Sequence, residues 1–130
     1  MRKVILATLL AVVSTCAFAD WILLTTLSNG DRIYSGDIRR THDIVKVRIL
    51  HDDRIPTYNA NGSITNSSTM IDEYDCRNDT YRTVGLRVWS GHMGTGTDPT
   101  SGAPDANGDW TSIQPNSFVS HMADSLCGNK

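Results

Sequence analysis

Histidine beside carboxylates is the first chemistry the chain offers, because His51-Asp52-Asp53 places an imidazole next to two acids that could orient it as a base. The four histidines, His42, His51, His92 and His121, carry no metal signature of their own: none lies four residues from another, and no cysteine pair accompanies them. No Gly-x-Ser-x-Gly or other nucleophile context is present to use such a base. Asp105, Asn107 and Asp109 match the first, third and fifth ligands of a calcium loop. The match ends there, with Trp110 at the glycine position and Asn116 at the place of the bidentate glutamate. Gly91, Gly94 and Gly96 leave a strand without opening a helix, so they read as positions for positive φ or a bulge rather than a phosphate cradle. No cofactor is expected, and an alternative reading, a periplasmic enzyme or metal-dependent factor, would rest on His51, Asp52 and Asp53.

Cysteine gives a firmer signal. Residues 1–19 have the form of a secretory signal: Arg2-Lys3, an apolar run over residues 4–13, and Ala17-Phe18-Ala19 as cleavage site. The apolar run has about half the length a spanning helix needs, so no transmembrane span is expected. Cys16 follows Val13-Ser14-Thr15 in the outline of a lipid-attachment site, but Thr15 is bulky there and cleavage after Ala19 fits better. Removing 19 of 130 residues leaves 111, enough for one small domain over residues 20–130. Cys76 and Cys127 then remain, and an even count in an exported chain predicts a disulfide between them. Loss of Arg2 and Lys3 leaves 10 basic against 14 acidic residues, a net charge of −4. No basic run or patch is visible along the chain, so nucleic acid is not an expected partner.

The elements that must position these groups are mostly strands. Residues 21–27 read as a strand, Ser28-Asn29-Gly30-Asp31 as a turn, and Arg32-Ile33-Tyr34 as its partner. Residues 36–43 read as irregular. Val45, Val47 and Ile49 alternate with Lys46 and Arg48 in a third strand over residues 44–50, and residues 52–67, with Pro56, Gly62 and three asparagines, read as loop. From Arg82 to Trp89 alternation sets Val84, Leu86 and Val88 against Thr83, Arg87 and Trp89. This pattern puts Tyr81, Arg87 and Trp89 on one face, where aromatic and arginine side chains make candidate binding residues. Residues 91–109 read as a long exposed loop. Phe118, Val119, Met122, Ala123 and Leu126 make the apolar stripe of a helix over residues 117–127, capped by Asn116 or Ser117 and ended by Gly128. If that helix covers Val84, Leu86 and Val88 and bonds Cys76, the hairpin should pair Cys76 with Arg82 across a three-residue connection, residues 78–80. Strands followed by one helix predict an α+β domain, and a small sheet with few edge prolines predicts a homodimer through a sheet edge.

The combination of Glu73-Tyr74-Asp75-Cys76-Arg77-Asn78, Tyr81-Arg82, Ser90-Gly91-His92-Met93-Gly94-Thr95-Gly96, Trp110, Pro115 and a terminal helix ending at Cys127 resembles the surface-adhesin E family of small exported bacterial proteins. Trp21, Tyr34, Ile38-Arg39-Arg40 and Val45-Lys46-Val47 extend the resemblance over nearly all of the mature chain. His92 departs from the pattern, which has proline there. The resemblance implies a single curved antiparallel sheet of about six strands, with the C-terminal helix tethered to its concave face by the disulfide. It also implies a non-enzymatic protein at the cell surface or in the periplasm that attaches to host matrix proteins.

Overall fold

The computed structural model describes residues 21–97 and 108–128; the signal segment and most of the candidate calcium loop lie outside them. Six strands, β1 (Ile22–Thr26), β2 (Arg32–Thr41), β3 (Ile44–Tyr58), β4 (Ile64–Asp75), β5 (Thr80–Trp89) and β6 (Thr111–Ser112), form one antiparallel sheet in sequential order. One helix, α1 (Phe118–Cys127), follows. Among the described residues no helix is long and apolar enough to cross a membrane.

Two stretches expected to be irregular are strand. β2 continues through residues 36–41 because a bulge sets Gly36 and Asp37 opposite Arg48, absorbing one extra residue before Ile38 pairs with Val47. β3 and β4 likewise extend through most of the expected loop, turning only at residues 59–63, where Asn59 N–H donates to the Ser63 carbonyl at 2.8 Å. A register slip between Asp52 and Thr57 accommodates Pro56, which has no N–H to give a ladder. No alternating pattern marks this arm since much of it projects into solvent, with Ile55 and Tyr58 exposed.

α1 packs on one sheet face. Met122 joins Ile33, Val47, Ile49 and Tyr74 in the buried cluster, with Val119, Ala123, Leu126, Ile113, Met70 and Tyr81 against it. Ser117, in extended backbone, caps the helix by accepting from Ser120 N–H, while Ser120 Oγ accepts from Ser117 N–H. Gly128 takes φ 77° at the other end. The expected disulfide joins Cys76 to Cys127.

The hairpin register differs from expectation. Asp75 pairs with Thr80, Tyr74 with Tyr81 and Glu73 with Arg82, so Cys76 lies in a four-residue turn and reaches the helix from there. Asp75 is the cause: its Oδ1 accepts from the N–H groups of Arg77 and Asn78, closing the turn one residue early. A bulge at Val84, between the pairs Asp72–Thr83 and Ile71–Gly85, then shifts the alternation of β5. Tyr81 consequently faces α1; Leu86, opposite Met70, keeps the face expected of it but is 49% exposed rather than buried beneath the helix.

The uncovered sheet face as candidate binding site

Pairing across β2 to β5 gathers a second set of side chains opposite the helix: Arg39 against Lys46, Arg48 and Leu50 on β3, Thr69, Ile71 and Glu73 on β4, and Arg82, Arg87 and Trp89 on β5. The sequence shows no basic run, yet this face is basic. Its cations sit at alternate positions of separate strands, and only the sheet brings them together. Aromatic rings hold two of them. The Trp21 ring lies over Gly36, where an added Cβ would come within 2.8 Å of it, and the Arg48 guanidinium stacks 5.1 Å from its centroid. Arg82 stacks 4.4 Å from the Trp110 centroid and ion-pairs with Glu73 at 3.0 Å.

Three shallow depressions cross this face and share walls. One of about 410 Å³ lies between Arg39, His42, Lys46 and Glu73; a second of about 240 Å³ shares Arg39 and Lys46 and adds Asp37, Arg48 and Ile71. The third, about 100 Å³, shares Arg48 and Ile71 and runs on to Gly85 and Arg87. Gly85 opposes Ile71, and its missing side chain keeps the floor low. Beyond it the turn over residues 91–96 folds onto the same face. Ser67, fully buried, donates to the Gly91 carbonyl and accepts from Gly94 N–H, while Asp52 Oδ1 accepts from Met93 N–H at 2.8 Å. The glycines serve backbone geometry as expected, with Gly94 and Gly96 at positive φ, but the segment is docked rather than a free loop.

The candidate binding residues separate. Arg87 and Trp89 share the uncovered face, where Trp89 Nε1 donates to Thr69 Oγ1 at 3.0 Å; Tyr81 stacks on Tyr74 beneath the helix. The candidate catalytic residues also divide, because adjacent strand residues point to opposite faces. Asp52 turns to His92 Nδ1 at 3.2 Å, and His51 turns the other way to Asp31 and Asp53, at 3.0 and 3.4 Å. Asp31 is the member sequence reasoning missed, since it enters from the β1–β2 turn, where Asn29 and Arg54 N–H also donate to it. The His51 hydrogen bond, aided by these donors, holds the Asp31 carboxyl below its usual range, whereas burial pushes Asp53 up. These three donor atoms lie within 4.8 Å of one another, a set able to hold a divalent cation, although His51 and Asp31 already satisfy each other. Among the described residues His51 bonds the Asp31 carboxylate, and no serine, threonine or cysteine is hydrogen-bonded to it as a nucleophile.

The profile of surface-adhesin protein E matches residues 21–128. The chain belongs to the surface-adhesin protein E family. No curated protein matches it. Among solved structures, protein E from non-typeable Haemophilus influenzae aligns at 18% identity over 88% of this chain and 80% of its own, with a TM-score of 0.66. A second crystal form of Haemophilus influenzae protein E aligns at 16% identity over 85% and 88%, with a TM-score of 0.64. At these identities the likeness speaks for the adhesin E fold, and family and fold together point to a non-enzymatic binding protein.

Proposed function

We propose that this adhesin E protein is an exported bacterial binding module that attaches to host extracellular-matrix proteins through its uncovered sheet face. Its membership of the family, over residues 21–128, carries the reading. The face supports it: arginine and tryptophan dominate binding hot spots, and here Arg48, Arg87 and Trp89 lie on a surface left open by the helix. Tyr81, with its ring against the core, acts in this reading as a support for β5.

Surface plasmon resonance of the mature protein over immobilised laminin and vitronectin tests the proposal. Saturable binding is expected, weakened about tenfold in Arg87→Ala. Absence of binding to both matrix proteins at micromolar concentration would refute it.

A further inference from the structure

We propose that the run of depressions across the uncovered face binds a linear sulfated polysaccharide. This rests on the matrix-binding reading and names the chemistry that would occupy its site. Arg39, Lys46, Arg48 and Arg87 line the run in a protein whose overall charge is negative. They are spread over three strands, at spacings of about 5 Å between facing residues and about 7 Å along a strand, so they suit an anion repeated along a chain rather than one isolated phosphate. Arg48 is held in place by the Trp21 ring, which lowers the cost of ordering it on a ligand.

Two acids in the same run select among polyanions. Asp37 and Glu73 line the depressions beside the cations and can accept from sugar hydroxyls, a donor that the backbone of DNA lacks. The low floor at Gly85 and Ile71 lies between Arg48 and Arg87, which fits a chain laid across the strands better than a flat lipid surface.

Calorimetric titration of the mature protein with a heparin-derived octasaccharide provides the test. Binding is expected to weaken about tenfold or more between roughly 0.05 and 0.3 M salt, and to vanish for the chemically desulfated octasaccharide. Arg48→Ala and the pair Arg39→Ala/Lys46→Ala should each weaken it about tenfold. Gly85→Val, which fills the narrow depression without changing charge, should weaken it as well; circular dichroism and thermal melts identify any variant that fails to fold. Unchanged binding in all folded variants would overturn the proposal. So would equal affinity for a single-stranded oligonucleotide or for phosphatidylglycerol vesicles. Laminin or vitronectin binding with no response to the octasaccharide would refute the polysaccharide and leave the matrix-binding reading standing; the reverse pattern would refute protein attachment alone.

Discussion

Replacing both bridged cysteines by alanine should cost this fold about 4 kcal/mol. Cys76 and Cys127 are 51 residues apart, and in the chain-entropy model a loop of that size removes about 14 cal/mol/K from the unfolded ensemble. The bridge also does something local. α1 has ten residues, fewer than an isolated helix needs in water, and Met122 is its single buried residue. Without the bridge the helix depends on Met122, Val119, Ala123 and Leu126 to stay over Val47, Ile49 and Tyr74. Against a total of about 5–15 kcal/mol for a domain, the loss leaves a narrow margin. Urea denaturation of Cys76→Ala/Cys127→Ala beside the parent reads the effect. With a slope of roughly 1–2 kcal/mol/M, the midpoint should fall by about 2–4 M. Amide exchange of α1 should rise before that of β3 and β4. A midpoint fall below about 0.5 M at unchanged slope would refute the reasoning, because it would mean that the unbridged chain keeps its ends together by other contacts.

Asp72 is buried on the helix face and accepts from Thr83 Oγ1 at 2.7 Å; burial raises its carboxyl pKa. The native state thus binds this proton more tightly than the unfolded chain, and stability falls as pH rises from the unfolded to the native value. Asp72→Asn keeps the acceptor and removes the charge, so it should stabilise by roughly 1 kcal/mol at neutral pH, and the gain should vanish near pH 3.8 in thermal melts. Ser67→Ala leaves Gly94 N–H without its acceptor and should cost about 1–3 kcal/mol, with faster exchange of that amide. Gly36→Ala should unseat Trp21, seen as a red shift of its fluorescence, because the new Cβ enters the ring. β1 forms one edge of the sheet and exposes Ile22 and Leu23, so a homodimer through an edge is expected; a monomer mass in light scattering across a wide concentration range would refute it.

The parts of the fold legible in the sequence are those whose signals are local. Alternation at Val45, Val47 and Ile49, the Asn29-Gly30-Asp31 turn and the apolar stripe of α1 each report a single element against its own periodicity. Bulges report nothing of the kind. Gly36-Asp37 and Val84 each insert one residue that only the partner strand reveals, and with Val84 the side on which Tyr81 falls is reversed relative to Arg87 and Trp89. The arm beyond Asp52 was hidden for a different reason: strands that pack against little need no apolar alternation. Asp31 could be placed beside His51 only after the register of β2 on β3 was known, as Ile33 opposite His51 brings the preceding turn alongside. The basic face was hidden in the same way, by alternation within strands and separation between them.

Covering one side of a single sheet has a consequence for how such a protein can change. The helix and its disulfide tie down Val47, Ile49 and Tyr74, and a substitution there is felt as a cavity or a strain. Across the backbone, Lys46, Arg48 and Ile71 occupy intervening positions of those same strands and Arg87 lies on the neighbouring β5, where a change alters charge and shape with little effect on packing. From Val45 to Ile49 every second residue of β3 therefore answers to stability, and Lys46 and Arg48 between them answer to whatever meets the open face, whereas Leu50, fully buried beneath the turn over residues 91–96, again serves packing. A sheet with one covered face can retain its fold at 18% identity to another protein while presenting a different surface, which is why the residues of this chain, rather than the resemblance of folds, must specify its ligand.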